Sequence, residues 1–338
     1  MSRFRRPEQF DLLPYIGKWL VIASVVAFLA GSASALFLFA LDRATAWREA
    51  NRWIIWLLPL AGGAVGWVYF KLGKQVEAGN NIMCAGTNGD FTALTFEEKV
   101  KLTEAVVDEV AGRAKVIVNA GMPATFETLK LAREFDRIGV DGIAVITPFF
   151  IQATQDGLVR HFSTVADGVK TPVYLYDIPA RTQNHIEPNT ARTLAGHGNI
   201  AGIKDSGGAQ ETLEAYLAVG RAVPGFAVYS GPDHLVHWSL RNGAAGCVSG
   251  LGNVMPKVLS AILRAFNAGD EAEAERNQTL FGNFRKDLYA LGYPPALVKR
   301  ALYLMDPSVG ASRQPALLPD PAQDQAILEI LKAHGLLT

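Results

Sequence analysis

Residues 82–121 read IMCAGTNGDFTALTFEEKVKLTEAVVDEVAGRAKVIVNAG, and this stretch decides the fold. A short apolar run at 82–86 gives way to a glycine-rich turn. Thr95, with Glu98 three residues on, then has the form of a capping box opening a helix. Phe96, Val100, Thr103, Val107 and Val110 recur on one face of that helix, and a β-branched run at 115–121 follows. A strand, a helix and a second strand in this order make a βα unit of a parallel sheet, because parallel neighbours need a crossover long enough to hold a helix.

Outward from this unit the alternation continues. Further strands are expected at 142–148, 172–179, 200–206, 227–231 and 246–251, with helical stretches between most of them, and helices alone at 256–267, 270–290, 294–305 and 321–334. Seven strands with intervening helices fit a doubly wound sheet or an incomplete (β/α)8 barrel. The near-regular spacing, without a GxGxxG fingerprint or a phosphate-binding loop, favours the barrel.

The first 81 residues are of another kind. Five of the six tryptophans (Trp19, Trp47, Trp53, Trp56, Trp67) lie there, with 9 basic and 5 acidic residues, leaving 23 basic and 27 acidic residues beyond; the zero net charge of the chain is therefore a cancellation of two unlike blocks. No global basic field argues for nucleic acid. Residues 19–41 and 53–70 carry no charge and are expected to form a membrane hairpin, the first run exceeding the roughly 20 residues a spanning helix needs. Arg3, Arg5 and Arg6 before the first run could begin a cleaved signal peptide, but the apolar run continues past the small residues at 31–35. Basic residues outside both runs favour a hairpin with its two ends, and the domain that follows, in the cytoplasm. Cys84 and Cys247 are far apart, each in an apolar run, as expected of reduced core thiols.

Chemistry is sought first at Lys204. In IAGIKDS (200–206), strand alternation sets Gly202, Lys204 and Ser206 on one face and Ala201, Ile203 and Asp205 on the other. A lysine between small residues, pointing into a barrel, has room for a ligand. Burial there would favour a neutral amine able to form a Schiff base with a ketone. The competing reading is a lysine at a strand end reaching solvent. Tyr176 shares a strand face with Tyr174 and could move protons beside such a lysine, or simply pack. The turn at 86–90 (GTNGD) could hold a carboxylate on its backbone amides and the Thr87 hydroxyl, or be glycine-rich for conformational reasons alone. His234 and His237 beside Asp233 lack a third ligand at a zinc-like spacing, so no metal site is expected.

Taken together, GTNGDFTALTFEEK, VDGIAVITPFF, VYLYDIPARTQNHI, NIAGIKDSGG, VYSGPD and GAAGCVSGLGNVMP resemble the dihydrodipicolinate synthase / N-acetylneuraminate lyase family of class I pyruvate aldolases. The resemblance runs from Ile82 to the C-terminus. It implies Lys204 as the Schiff-base lysine, Tyr176 as the proton-relay tyrosine and Thr87 as its hydroxyl partner. It also implies Thr87 and Asn88 at the substrate carboxylate, Arg181 at a second carboxylate, Gly231 and Val248 lining the pyruvate pocket, and no cofactor. Three departures stand out: Asn88 replaces a relay hydroxyl, Phe149-Phe150 replace a tyrosine-bearing segment that reaches a neighbouring subunit, and the family's first strand and helix are missing. The first two weaken an assignment to lysine biosynthesis, and Asn88 with KDSGG more resembles the 2-keto-3-deoxy-sugar-acid or 4-hydroxy-2-oxoglutarate aldolases. Residues 15–81 in turn resemble the opening helices of the chloride channel (ClC) family.

The expected architecture is thus a transmembrane hairpin (1–81), a (β/α)8 TIM barrel lacking its first βα unit (82–254) and a C-terminal helical extension (255–338). The expected activity is a Schiff-base lyase acting on pyruvate or a 2-keto-3-deoxy acid, possible as a homo-oligomer. An inactive membrane-anchored fusion remnant and a chloride transporter are the alternatives.

Overall fold

The computed structural model describes residues 81–337. The expected hairpin, its membrane anchoring and most of the channel-like segment lie outside the described residues; among the described residues no helix is long and apolar enough to cross a membrane.

Seven parallel strands form one sheet: β1 (Ile82–Cys84), β2 (Val116–Asn119), β3 (Gly142–Ile146), β4 (Val173–Asp177), β5 (Ile200–Asp205), β6 (Ala227–Ser230) and β7 (Gly246–Cys247). Each falls within its expected range. Sheet order equals chain order, which sets aside the doubly wound alternative, since that arrangement reverses its order at a switch point. Among the described residues β1 pairs only with β2 and β7 only with β6, so this wall of βα units is open between them.

Helices α1 (Phe96–Val110), α2 (Thr125–Ile138), α3 (Gln155–Asp167), the single turn α4 (Pro179–Thr182), α5 (Pro188–Ala195), α6 (Gln210–Ala222) and α7 (Val236–Arg241) fill the connections. The capping box forms as its spacing predicts: Glu98 N donates to Thr95 Oγ1 at 3.2 Å and Thr95 N donates to the Glu98 carboxylate at 2.9 Å. Strand β3 is buried at all five positions, as a strand covered on both faces must be. The barrel core joins strand residues such as Val118, Ile143, Leu175 and Ile203 to helix residues such as Leu131, Phe135, Phe162 and Leu217.

Four C-terminal helices, α8 (Pro256–Asn267), α9 (Glu271–Tyr289), α10 (Pro294–Met305) and α11 (Pro321–Ala333), match their expected ranges to within one residue at each end. They bury a second core around Phe281, Phe284 and Leu288 of α9, with Ile262, Leu297, Ile327 and Leu331.

Strand β7 is shorter than expected. Val248 N still donates to Ser230 O at 2.8 Å, but the Ser249 hydroxyl is captured by the buried Asp233 carboxylate, and residues Leu251–Asn253 turn away as a 3-10 helix. Both cysteines have thiols pushed up to about 12 by burial, a state in which little nucleophilic thiolate forms.

Candidate active site

The site is built by the register of three strands. Parallel pairing sets Tyr176 opposite Lys204, and Lys204 opposite Tyr229. Lys204 Nζ lies 3.7 Å from the centroid of the Tyr176 ring. Tyr176 is 1% exposed, and its hydroxyl is 2.9 Å from Thr87 Oγ1. Burial raises the Tyr176 phenol, but the Lys204 cation and hydrogen bonds with Thr87, Lys204 and Ser206 outweigh it, so the phenol lies below its ordinary value. A buried tyrosine acidified by a lysine beside it can lend and recover a proton within that pair.

Thr87 is held in place from a distance in sequence. It opens the 3-10 turn Thr87–Gly89, which ends at Asp90 in the left-handed region (φ 51°). The Asp90 carboxylate accepts from Lys299 Nζ of α10 at 2.5 Å and from Arg313 N at 3.2 Å, while the Arg313 guanidinium reaches both Glu98 oxygens at 2.8 Å. The C-terminal region thereby fastens the chain at two points just after Thr87, Asp90 and Glu98.

Of the other expected residues, Asn88 packs over Gly250, where a Cβ would stand 2.1 Å from Asn88 Nδ2. Gly231 packs against the lysine strand: its N–H donates to Asp205 O at 2.6 Å, and a Cβ there would stand 2.0 Å from Ser206 Oγ. Val248 continues the ladder from Ser230 at the β7 end. Arg181 is exposed on α4, and its guanidinium lies 5.1 Å from the Tyr293 ring at the start of α10 rather than against Thr87, Tyr176 or Lys204. His237 is buried, with Nδ1 and Nε2 each 2.9 Å from a carboxylate of α9, those of Glu275 and Glu271; among the described residues no group of three metal-ligating side chains occurs.

A second cluster backs the first. Asp177 and Asp205, the register pair one step beyond Tyr176 and Lys204, are both fully buried. Asp177 Oδ2 accepts from Tyr216 OH of α6 at 2.9 Å and from His185 Nδ1 at 2.8 Å, and its Oδ1 accepts from Ile186 N at 3.1 Å. Asp205 Oδ1 accepts from Gly207 N at 2.8 Å, whereas Oδ2 is buried without a partner. Burial, with the Asp177 charge, raises Asp205 to about 6, and the hydrogen bond to Asp177 raises His185. The sequence reading set Asp205 on the face opposite Lys204 but assigned it no chemistry. Its signal was an acid directly after each of Tyr176 and Lys204.

Residues 68–334 match the dihydrodipicolinate synthetase family. The chain belongs to this family. The matched range begins inside the channel-like segment, earlier than the boundary expected at 81. Among similar family members are the 4-hydroxy-tetrahydrodipicolinate synthases of Trichlorobacter lovleyi, 35% identical over 266 residues (78% of this chain, 90% of that protein), and of Symbiobacterium thermophilum, 36% identical over 271 residues (79% and 91%). Among solved family structures, YagE, a prophage protein from E. coli K12 in complex with pyruvate, superposes with a TM-score of 0.74 at 29% identity, covering 78% of this chain and 90% of that one.

Proposed function

We propose that this member of the dihydrodipicolinate synthetase family is a Schiff-base lyase or aldolase acting on pyruvate or a 2-keto-3-deoxy acid. The observation that carries the reading is the placement of Lys204 Nζ against the Tyr176 ring, with the Tyr176 hydroxyl bonded to Thr87. Lys204 as a neutral amine attacks the ketone carbon of the keto acid. Loss of water from the carbinolamine leaves an iminium that accepts the electron pair of the neighbouring C–C bond as it breaks, giving an enamine; in the other direction the pyruvate iminium loses a methyl proton to give that enamine, which lends the pair when the bond is made. Tyr176 takes the proton released on attack and returns it to the departing hydroxyl, with Thr87 as its relay partner. The iminium is itself the electron sink, so these steps call for no metal or organic cofactor.

The turn carrying Thr87 and Asn88 is assigned to the keto-acid carboxylate, and Gly231 and Val248 to the pocket wall. Arg181, exposed beside Tyr293, is assigned to a second carboxylate on substrates that carry one. The pyruvate complex of YagE supports the keto-acid assignment, and the synthase relatives support carbon–carbon bond making as one direction. Asn88 in place of a relay hydroxyl favours a 2-keto-3-deoxy-sugar-acid or 4-hydroxy-2-oxoglutarate substrate over the synthase reaction. Borohydride with pyruvate should fix one stable adduct on Lys204. Absence of an adduct on the wild type, or equal labelling of Lys204→Ala, refutes the reading.

A further inference from the structure

Parallel strands turn alternate side chains to opposite faces, so the contact between Tyr176 and Lys204 has a reverse side, occupied by Asp177 and Asp205. On that side the two carboxylates are unequal. Asp177 is saturated by donors from Tyr216, His185 and Ile186. Asp205 has the Gly207 amide alone, and its second oxygen is buried with no donor. A buried carboxylate oxygen without a donor is costly as an anion, more so beside a second carboxylate; one proton removes the charge and the repulsion and leaves only the smaller cost of an unpartnered hydroxyl.

We propose that Asp205 is a positioning residue that carries a proton on the helix-facing side of the lysine strand, and that this proton keeps the ends of β4 and β5 in the register that sets Lys204 over Tyr176. The proposal rests on the roles assigned to Lys204 and Tyr176. The charged groups acting on Asp205 are Asp177 from β4, which repels its anion, His185 on the same side, which attracts it, and Lys204, which attracts it from the other face of the strand. Tyr216 of α6 faces the same space as a hydrogen-bond donor, and Glu187 acts on His185 from the outer side. Their balance leaves Asp205 titrating at about 6.

Once ionised, Asp205 repels its register partner and attracts the Lys204 cation, and both effects disturb the working contact. The disturbance has a short route into the site. Ser206 N donates to Asp177 O at 2.8 Å, and Gly231 N donates to Asp205 O at 2.6 Å, so a shift at Asp205 moves the Ser206 hydroxyl beside Tyr176 and the Gly231 wall together.

Asp205→Asn is the isostere of the protonated acid, keeping an oxygen for Gly207 N and placing an uncharged amide where Oδ2 stands. The test is the rate of pyruvate adduct formation under cyanoborohydride, for wild type and D205N, from about pH 5 to about pH 8.5, read as the ratio of variant to wild type. The chemistry of the reductant is common to both proteins. The ratio should stay near one in the acid range and rise about threefold or more above neutrality, where only the wild type acquires the charge. A ratio that is flat, or a variant uniformly slow at every pH as a purely structural defect would make it, overturns the proposal. If the wild type forms no adduct, the Schiff-base reading itself falls. The proton on Asp205 is then decided by melting temperature: a value of variant minus wild type that rises with pH upholds it, and one that is constant or falls overturns it.

Discussion

The stability of Asp205→Asn offers a test that involves no substrate. In the wild type the folded Asp205 holds its proton up to about 6, against 3.8 for an ordinary aspartate. Between these values the unfolded chain ionises while the folded chain does not. Wild-type stability therefore falls as pH rises through this window, and is constant with respect to this group below and above it. A rise of about two pKa units corresponds to about 3 kcal/mol, and Asp205 is fully buried, so solvent screening does not dilute it. Asparagine does not titrate, and the other titrating groups are common to both proteins. The melting temperature of D205N should accordingly gain on wild type by about 6–12 °C between about pH 4 and about pH 7.5, taking about 2–4 °C per kcal/mol for a domain of this size. Differential scanning calorimetry across this range measures it. A melting temperature of variant minus wild type that is constant to within about 1 °C, or that falls with rising pH, would show that Asp205 is ionised throughout and that its unpartnered oxygen finds a donor.

Tyr176→Phe keeps the packing and removes the proton carrier, so adduct formation should slow by about 10²–10⁴-fold with the melting temperature little changed; a loss below tenfold would remove Tyr176 from the proton path. Gly231→Ala drives a Cβ to 2.0 Å from Ser206 Oγ and 2.6 Å from the Asp205 carbonyl oxygen, and should cost about 1–3 kcal/mol by overpacking and a larger share of activity, which paired unfolding and adduct assays would separate. Lys299→Met removes the ammonium that fastens Asp90 and should lower turnover by about tenfold, in line with a charge-assisted hydrogen bond, with recovery in Lys299→Arg. Thr95→Ala deletes half of the capping box of α1 and should cost about 1 kcal/mol while adduct yield at saturating pyruvate stays unchanged.

The elements that could be read from sequence are those whose signal is local. Thr95 and Glu98 cap α1 because both partners lie within one turn, and β3 reads as a strand because a short apolar run with Ile143, Val145 and Ile146 needs no partner to reveal itself. Bringing Thr87 to Tyr176 across 89 residues followed from a resemblance and not from spacing. Where the reading failed, the cause is also physical. Period-two alternation separates the faces of a strand but does not say what covers each face. In a wall with helices outside and side chains inside, an acid on the outer face looks like a solvent-exposed residue, yet Asp177 and Asp205 lie sealed beneath Tyr216 and the turn at Gly207. Nearness in sequence is equally silent about placement: Arg181 is five residues from Tyr176, but β4 ends at Asp177 and the chain turns through Pro179 into α4, ending at Gln183 in the left-handed region, which sets the guanidinium beside Tyr293. His237 could not be read locally at all, because its partners Glu271 and Glu275 lie on a helix 34 and 38 residues downstream. A residue's chemistry here is set by what the next layer brings to it. The acid after the lysine is the sharpest case: its neighbours in sequence mark the site, and only the layer behind the sheet shows that it has to share that space with a second carboxylate.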